Sequence, residues 1–346
     1  MWLIRRSHLF YCRRGGLDLT AAFDQFRSAV ENNKSFLITT HVNPDGDGIG
    51  SELALTSYLR TKGKKVWIVN HSSTPPNYAF LDSKQEIIQF DSRKHESIVK
   101  EAAVVIVLDA NHPDRLASMK EHVVRSKAFK VCIDHHLDPA EFADLYIIDE
   151  PSTATGEILY RLLVHLDRDS ISKEVATSLY AAIMTDTGSF RYPKTDSEVH
   201  RMIAHLIDQG ADPVEIYERV YERGPVSRLK LLAKVLASLQ SAHEGKVAYL
   251  TVTRQMMNET GTSEVDTDAF VPYALGIENV QIGMMFTELA DGIKINFRSK
   301  GDISINELAK EFGGNGHKNA AGARMANAQL TDELPNVVER SRAYTR

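Results

Sequence analysis

The feature that most constrains the fold is a set of short apolar runs separated by segments with helical spacing. Four runs, "FLITT", "VWIVN", "AVVIVLD" and "KVCID", have the length and the Val/Ile content of strands buried on both faces. Between them lie helical patterns such as "SELALTSYLRTKG", which Gly63 is predicted to end as a C-terminal cap. Strands that alternate with helices form a mostly parallel sheet covered by helices on both faces. The sequence therefore predicts an α/β fold.

The change in pattern along the chain predicts two α/β domains. A chain of 346 residues is longer than one ordinary core, and the strand–helix alternation extends over residues 17–193. Residues 194–242 have an almost purely helical pattern and are predicted to form a connector. Residues 243–346 carry longer amphipathic strands, including "VQIGMMFTEL" and "IKINFRS" joined by a hairpin through "ADG", and predict a smaller α/β domain. Residues 1–16, which contain four arginines, are predicted to be a disordered extension, with a transit-like or basic arm as the alternative.

Composition and charge restrict the classes of function. The formal net charge of −5 argues against a broad basic face that coats long nucleic acid, but it allows a small anionic ligand. The two cysteines, Cys12 and Cys132, indicate neither a disulfide framework nor a thiolate zinc site, and they suit a reducing compartment. The N-terminal apolar run is too short for a secretory or membrane-spanning segment. We therefore expect a cytoplasmic protein.

Acidic and histidine side chains occur in four clusters, each at the end of a predicted strand or helix. Three of the clusters follow strands, and the carboxyl ends of parallel strands share one edge of a sheet, where ligands bind. We therefore expect these clusters to converge although they are far apart in the sequence. In chain order, the candidate residues are His41, Asp45, Asp47, Asp109, Asp134, His135, His136 and Asp186.

Such crowding of acidic groups is costly unless counter-charge is present. Two like unit charges about 4 Å apart repel by about 4 kcal/mol at an effective dielectric constant of 20. Divalent cations would turn this repulsion into ligation, and imidazole with carboxylate ligands suits Mn²⁺, with Mg²⁺, Co²⁺ and Zn²⁺ as alternatives. Two ions that share one bridging aspartate can clamp a phosphoryl group and activate a water. The pattern therefore predicts hydrolysis of a phosphoester or a phosphoanhydride.

Each candidate also has a purely structural interpretation. A lone histidine at a strand end commonly bonds to backbone, and the aspartates of "NPDGDG" are typical turn residues. Asp109 and Asp186 could each cap a helix. The occurrence of all four clusters in one chain, in this order, favours metal ligation.

Five segments resemble the motifs of a known enzyme family. "HVNPDGDGIGS", the Asp109 segment, "DHH" and "TDTGSF" resemble, in that order, the four motifs of the DHH phosphoesterase superfamily, and "FGGNGHKNAAG" resembles the glycine-rich signature of its DHHA1 domain. The resemblance extends over most of the chain and is strongest to the compact NrnA-like group, bacterial nanoRNases that also remove phosphate from 3′-phosphoadenosine 5′-phosphate. It implies a DHH catalytic domain, a helical connector and a DHHA1 substrate-binding domain.

The resemblance implies two metal ions that share one aspartate. The first ion site would consist of His41, Asp45 and Asp109, and the second of Asp47, Asp109, His135 and Asp186. Asp134 would orient a ligand imidazole, and His136 would face the phosphate as a hydrogen-bond donor or general acid. Arg115 is predicted either to reach the phosphate or to brace the site. The nucleophile would be a water activated by the two ions.

The resemblance also implies phosphate-binding residues in the second domain. Arg298 and Ser299 end the strand "NFRS", where the planar fork of an arginine suits a phosphate. The alternative for Arg298 is a solvated strand residue. The loop "GGNGH", followed by a helix-like "NAAGA", would offer the backbone N–H groups of Gly314 and Gly316 and the side chain of His317.

The favoured interpretation is a metal-dependent phosphodiesterase and phosphatase that acts on very short RNA or DNA oligonucleotides and on nucleoside bisphosphates. A cleft between the two domains would measure substrate length. Alternatives within the superfamily are a RecJ-type single-strand exonuclease, a cyclic dinucleotide phosphodiesterase and a manganese pyrophosphatase, whose second domain lacks the "GGNGH" type of loop. A non-catalytic sensor of nucleotide or metal is the alternative from another class, and the intact set of six predicted ligands argues against it. The resemblance allows a homodimer and implies no membrane partner.

Overall fold

The computed structural model describes residues 8–11 and 19–346 of the chain. The chain divides into two compact units, Met1–Arg223 and Gly224–Arg346, and each unit has its own buried apolar core. Within the described part of the chain, every helix is too short or too polar to cross a membrane.

The boundary between the units lies within the segment that the sequence predicts as a helical connector. Residues 194–242 contain three helices, of which the first two belong to the first unit and the third to the second unit. The predicted N-terminal extension, residues 1–16, includes a strand at residues 8–11. The predicted disorder of the other residues of this extension lies outside the described residues.

The first unit is built on a seven-stranded sheet in which every strand pair is parallel. Its strands are β1 (His8–Tyr11), β2 (Ser35–Thr39), β3 (Lys65–Asn70), β4 (Ile87–Gln89), β5 (Val104–Leu108), β6 (Phe129–Asp134) and β7 (Leu145–Ile148). Their order across the sheet is β1-β7-β6-β5-β2-β3-β4. The chain therefore extends the sheet from β2 to β4 and then returns to the other side of β2 to begin β5. This reversal creates a switch point between the carboxyl ends of β2 and β5, where open α/β folds bind ligands.

Helices flank this sheet, which confirms the predicted α/β class. They are α1 (Thr20–Asn32), α2 (Gly46–Thr61), α3 (Ser92–Glu101), α4 (Lys120–Arg125), α5 (Thr155–Leu166), α6 (Lys173–Asp186), α7 (Ser197–Asp208) and α8 (Pro213–Tyr221). The carboxylate of Asp45 caps α2, because its Oδ1 accepts hydrogen bonds from the backbone N–H groups of Asp47 and Gly48 at 3.0 and 3.2 Å. The segment that resembled a turn, "NPDGDG", is thus the start of a helix.

The glycines of this segment permit a close approach between α2 and α6. A Cβ atom on Gly50 would lie 2.4 Å from the carbonyl oxygen of Ser178 in α6, and one on Gly46 would lie 2.5 Å from Oγ1 of Thr185. These glycines therefore serve helix packing and not a turn. Because α6 ends at Asp186, the same close packing holds that carboxylate beside the carboxyl edge of the sheet.

We expect the substitution Gly50→Ala to lower the free energy of unfolding by about 1–3 kcal/mol, the usual cost of overpacking a close-packed interior. The gain in helix propensity of about 1 kcal/mol is smaller than the cost of moving the α6 backbone away from the added methyl group. Urea denaturation followed by circular dichroism measures the change. Ser57→Ala, a half-buried position on the same helix, is the matched control, and an unchanged midpoint for Gly50→Ala would contradict the prediction.

The second unit is built on a six-stranded mixed sheet. Its strands are β8 (Gln240–Ala242), β9 (Val247–Val252), β10 (Ile282–Leu289), β11 (Gly292–Ser299), β12 (Asn315–His317) and β13 (Ala320–Ala326), in the order β12-β13-β11-β10-β9-β8. Only β9 and β10 pair in parallel among the described strands of this sheet. Its helices are α9 (Val226–Ala237), α10 (Arg254–Thr260), α11 (Val271–Leu275), α12 (Ile305–Glu311) and α13 (Leu330–Ser341).

Two local features of the second unit differ from their sequence prediction. The hairpin predicted through "ADG" forms between β10 and β11, but Gly292 pairs with Leu289, so its two-residue loop is Ala290 and Asp291. The segment "NAAGA", predicted to be helix-like, instead belongs largely to β13, which pairs with β11 and β12. The prediction of a helix N-terminus after the glycine-rich loop is therefore wrong.

Candidate metal centre

The four predicted clusters meet at the carboxyl edge of the first sheet. Strands β6, β5 and β2 are neighbours, and each leads directly into one cluster. Asp134 is the last residue of β6, Asp109 follows β5 and His41 lies two residues beyond β2. The close packing of α6 brings the fourth cluster to the same place, so that Oδ2 of Asp186 lies 3.2 Å from Nε2 of His135.

One group of ligating atoms consists of His41, Asp45 and Asp109. Nε2 of His41 lies 3.2 Å from Oδ2 of Asp109 and 3.9 Å from Oδ1 of Asp45. The other ring nitrogen, Nδ1, lies 2.9 Å from the carbonyl oxygen of Val42. A proton on Nδ1 would satisfy that carbonyl and leave the lone pair of Nε2 facing the two carboxylates. One oxygen or nitrogen from each of the three side chains lies within 4.8 Å of the others.

A second group consists of Asp47, His135 and Asp186, with the same spacing of at most 4.8 Å between ligating atoms. Nε2 of His135 lies 3.2 Å from Oδ2 of Asp186 and 3.8 Å from Oδ2 of Asp47. Its Nδ1 lies 3.3 Å from the carbonyl oxygen of Ser152, which favours a proton on that nitrogen. Nε2 is therefore again the nitrogen that faces the carboxylates.

Asp109 links the two groups through its two oxygens. Its Oδ2 faces His41, and its Oδ1 lies 3.6 Å from Nε2 of His135. The residue has a positive φ of 55°, a conformation that aspartate adopts more readily than most residues. The hydroxyl of Thr155 donates a hydrogen bond of 3.3 Å to Oδ1, and the backbone N–H of Asp109 donates to the carbonyl of Ile133 at 3.0 Å. The carboxylate is thus held between the two groups.

The carboxylate of Asp134 contacts the ring of His136. Its Oδ1 accepts hydrogen bonds from the backbone N–H groups of His135 and His136 at 2.7 and 3.2 Å and lies 2.7 Å from Nδ1 of His136. Asp134 therefore orients the ring of His136. The sequence analysis predicted that Asp134 would orient the imidazole of a metal ligand, and His136 is not among the predicted ligands. Nη1 of Arg115 lies 3.4 Å from Nε2 of His136, so Arg115 braces the site in this conformation.

Two residues that the sequence analysis missed hold Asp47 in place. The backbone N–H groups of Thr155 and Gly156, at the start of α5, donate hydrogen bonds to its two carboxylate oxygens at 2.7 and 2.8 Å. Helix N-termini present unpaired N–H groups and attract negative charge. The signal in the sequence is the run of small residues "STATG", residues 152–156, which leads into the first turn of α5. Its partner is not predictable, because Asp47 lies 108 residues away.

The charges of the site perturb the pKa values of its members. Burial lowers the pKa of His135, but contact with Asp186 and the charges on Asp109 and Asp47 outweigh burial and raise it to about 10. The pKa of His41 is likewise raised well above its usual value, because its contacts with Asp109 and Asp45 outweigh the effect of burial. Burial, together with the charges on Asp109 and Asp186, raises the pKa of Asp47 well above its usual range. The crowding of carboxylates and imidazoles therefore favours the protonated forms of His41, Asp47 and His135.

The donor set fits divalent cations. Carboxylates and imidazoles face one another in two groups, and Asp109, a member of the first group, also contacts His135 of the second at 3.6 Å. The carboxylate oxygens of Asp109 and Asp45 lie 3.2 and 3.9 Å from Nε2 of His41, so this nitrogen and the two carboxylates converge on one point as metal ligands do. Oxygen and imidazole ligands suit Mn²⁺ and related ions.

In the second unit, Arg298 and Ser299 lie at the end of β11 as predicted. Arg298 is half-buried, and its Nη1 donates to the carbonyl of Phe297 at 3.3 Å. The hydroxyl of Ser299 is buried, donates to the carbonyl of Ile303 at 2.8 Å and accepts from Nδ2 of Asn319 at 2.9 Å. Ser299 therefore stabilises the turn after β11, and its hydroxyl proton is not available to a phosphate in this conformation.

The glycine-rich loop uses its backbone N–H groups within the chain. Gly314 donates to the carbonyl of Ala309 at 2.8 Å, and Gly316 donates to Oδ1 of Asn315 at 2.8 Å. A Cβ atom on Gly314 would lie 2.2 Å from the carbonyl oxygen of Gly322, so glycine is needed there for the close approach to β13. His317 ends β12, and its side chain lies outside the described part of the structure. These contacts do not supply the predicted phosphate cradle of free N–H groups at Gly314 and Gly316.

Comparison with known proteins places this site in a family. The family model "DHH family, N-terminal domain" matches residues 35–183, and the model "DHHA1 domain" matches residues 244–344. The chain belongs to the DHH phosphoesterase family. The two matched DHH and DHHA1 regions lie in the first and second unit, respectively.

Three known proteins are similar to this chain over most of their length. The bifunctional oligoribonuclease and PAP phosphatase NrnA of Thermus thermophilus is 31% identical over 302 residues, which cover 87% of each chain. The protein of the same name from Bacillus subtilis is 26% identical over 302 residues, which cover 87% of this chain and 92% of that protein. A solved structure of an exopolyphosphatase-related protein from Bacteroides fragilis superposes with a TM-score of 0.89 at 31% identity and covers 93% of this chain and 97% of that one.

Proposed function

We propose that this DHH protein hydrolyses phosphoester bonds in short oligonucleotides and removes the 3′-phosphate of 3′-phosphoadenosine 5′-phosphate to give AMP. The observation that carries the proposal is the pair of three-residue ligand groups joined through Asp109. Such a pair matches the requirements of phosphoryl transfer assisted by two metal ions. The names of the relatives from Thermus thermophilus and Bacillus subtilis supply the substrate class.

The metal-binding residues follow the two groups. We propose that one ion is held by His41, Asp45 and Asp109, and the other by Asp47, Asp109, His135 and Asp186. Mn²⁺ is the proposed ion, with Mg²⁺ or Co²⁺ as alternatives. When bound, the ions would neutralise the carboxylates, activate a water and stabilise charge on the phosphoryl oxygens.

Residues of the chain itself orient the substrate and move a proton. Asp134 accepts a hydrogen bond from the Nδ1–H group of His136 and so fixes the orientation of the ring. Burial raises the pKa of Asp134, but the contact with His136 outweighs burial and helps to lower this pKa to about 2. When the ring is doubly protonated, the second proton is on Nε2, and Nε2 would deliver it to the leaving oxygen, which leaves His136 neutral with its remaining proton on Nδ1. Arg115, whose guanidinium lies beside Nε2, can bind a phosphate oxygen through its planar fork.

We propose that the second unit contributes a phosphate-binding surface that includes Arg298 and His317. The guanidinium of Arg298 donates one hydrogen bond to the carbonyl of Phe297 and has further N–H donors that would bind a phosphate. Gly314 and Gly316 would shape this surface by allowing β12 to approach β13 closely. The proposed substrates are short single-stranded RNA or DNA and nucleoside bisphosphates, and the proposed location is the cytoplasm, with a homodimer as the proposed assembly.

A substrate panel tests the proposed function. The purified protein is incubated with the dinucleotide pApA, 3′-phosphoadenosine 5′-phosphate, a long single strand, a cyclic dinucleotide and pyrophosphate, with Mn²⁺, Mg²⁺ or Co²⁺ in turn. We expect mononucleotide from pApA and AMP from the bisphosphate, most rapidly with Mn²⁺. Hydrolysis confined to one of the other three substrates would favour the corresponding alternative enzyme. No product from any substrate would favour a sensor.

Metal binding should tighten as the pH rises. Without metal, His135 has a pKa raised to about 10 and His41 a raised pKa, so both rings hold protons near neutral pH. An ion must displace these protons, and we therefore expect the affinity for Mn²⁺ to rise between about pH 6 and pH 9, with proton release on binding. Calorimetric titration in buffers of different ionisation enthalpy counts the protons. His135→Gln should release fewer protons than the wild type, and a pH-independent affinity would contradict the prediction.

A further inference from the structure

A buried acidic side chain lies close to the metal centre without belonging to either ligand group. Glu52 is on α2, five residues beyond Asp47, and is fully buried. Its Oε2 accepts a hydrogen bond of 2.8 Å from Nδ2 of Asn70. Its Oε1 has no hydrogen-bond partner among the described residues. Burying an ionised carboxylate with so few donors is costly, and burial raises the pKa of Glu52 to about 8. At neutral pH the side chain is therefore mostly an uncharged acid.

The partner of Glu52 extends the hydrogen bonding to the end of β2. Asn70 is the last residue of β3 and is fully buried. Its Oδ1 accepts hydrogen bonds from the backbone N–H of Thr40 at 3.2 Å and from Oγ1 of Thr39 at 3.3 Å. The β2–β3 ladder ends at this point, so the side chain of Asn70 replaces the next backbone acceptor. It fixes the two residues that precede His41.

The amide of Asn70 can fill this role only in one orientation. Its oxygen must face Thr39 and Thr40, so its NH₂ group must face α2, where Oε2 of Glu52 accepts it. Without that acceptor, a buried NH₂ group would be left unpaired, at a cost that favours rotation of the amide or displacement of the strand end. Either movement would displace the backbone of Thr39 and Thr40 and, with it, the side chain of His41.

We propose that Glu52 is a positioning residue for the metal site that contains His41, acting through Asn70. The inference rests on the proposed metal centre. Glu52 itself is not proposed to contact an ion. Its effect should be larger on the first ligand group, because the members of the second group are held by other parts of the chain. Asp47 is bonded to the start of α5, His135 contacts the carbonyl of Ser152, and Asp186 is the last residue of α6. Residues that orient metal ligands in this way typically change the metal affinity by about 10–100-fold when they are replaced.

Two substitutions at one position distinguish positioning from simple core packing. Glu52→Met keeps the length of the side chain but removes the acceptor for Asn70. Glu52→Gln keeps an uncharged acceptor of the same shape. Binding of Mn²⁺ to the metal-free protein is measured by calorimetry and by electron paramagnetic resonance, with circular dichroism as the check of folding. Thr56→Val, one turn further along α2 at a buried position, is the matched control.

We expect the wild type, Glu52→Gln and Thr56→Val each to bind two Mn²⁺ ions, with affinities that differ by no more than about threefold. This difference is smaller than the loss of metal affinity that follows removal of a residue that orients a ligand. Glu52→Met should bind one ion about 10–100-fold more weakly and keep the other. Asn70→Ser, which breaks the same hydrogen bonds without adding apolar bulk, should reproduce this loss and provides the test if Glu52→Met does not fold.

Other outcomes overturn the inference. Wild-type affinity for both ions in Glu52→Met and Asn70→Ser would remove the role of Glu52 while leaving the proposed metal centre intact. Equal weakening of both ions, or a Glu52→Gln variant as impaired as Glu52→Met, would indicate general damage to the core. A wild-type protein that binds no Mn²⁺ would remove the metal centre itself and this inference with it.

Discussion

The substitution Asp109→Ala is expected to abolish hydrolysis, with a fall in kcat/KM of at least about a thousandfold on both pApA and 3′-phosphoadenosine 5′-phosphate. Such a fall corresponds to about 4 kcal/mol of lost transition-state stabilisation, which is within the contribution of a bound metal ion. The reason is that Asp109 is a proposed ligand of both ions, with Oδ2 facing His41 and Oδ1 facing His135. Its removal takes one ligand from each of the two proposed ion sites.

The backbone of Asp109 determines which companion variant is informative. At a positive φ of 55°, alanine is strained, whereas asparagine tolerates the left-handed conformation. Asp109→Asn should therefore fold as the wild type does and still be inactive, because an amide is a poor ligand for a bridging position. Asp169→Ala, at an exposed aspartate after α5, is the control that should keep full activity. Substantial activity in Asp109→Asn, with Mn²⁺ saturating, would eliminate the bridging role.

The second large effect is expected for His136→Gln, which should lower kcat by about 100–10,000-fold, the usual contribution of a general acid. Nδ1 of His136 is held by Asp134, so Nε2 is the atom presented for proton transfer. Because His136 belongs to neither of the two proposed ion sites, the variant should bind Mn²⁺ with nearly unchanged affinity. Steady-state kinetics together with a Mn²⁺ titration separate the two quantities.

A nearby histidine provides the control for this experiment. His112 lies three residues beyond Asp109 and is exposed, with Nε2 2.8 Å from the carbonyl oxygen of Asp138. His112→Gln should retain kcat within about threefold, because a surface substitution outside the site rarely alters more than a few tenths of a kcal/mol. If His136→Gln and His112→Gln had the same kcat, His136 could not be the proton donor. A loss of Mn²⁺ from His136→Gln would instead make it a ligand.

The sequence predicted much of the first unit because its local patterns agree with one another. Continuous apolar runs for β2, β3, β5 and β6 indicated strands buried on both faces, and their alternation with helices indicated a parallel sheet. Parallel strands have their carboxyl ends at one edge, and this single rule brought His41, Asp109 and Asp134 together. No contact at long range had to be known for that inference.

The second unit was less predictable because its chemistry depends on contacts between strands. The repeated small residues of "GGNGHKNAAG" suit a flexible loop, a helix start or a tight strand pair, and the sequence does not distinguish them. The structure selects the strand pair, since β13 completes the hydrogen bonding of β11 and β12. In the same way, the position of Ser299 at a strand end was predicted, but its hydrogen bond to Ile303 was not.

By itself, the sequence determined the α/β class, the residues that gather at the edge of the first sheet and their suitability for divalent ions, because each of these follows from residue type and spacing along the chain. Only the tertiary structure decided which partner each side chain has: Asp47 with the N-terminus of α5, Asp134 with His136, and Glu52 with Asn70. The first and third pairs depend on how α2 packs against α5 and β3, and the second depends on the backbone conformation after β6. Neither feature is written in the periodicity of a single segment.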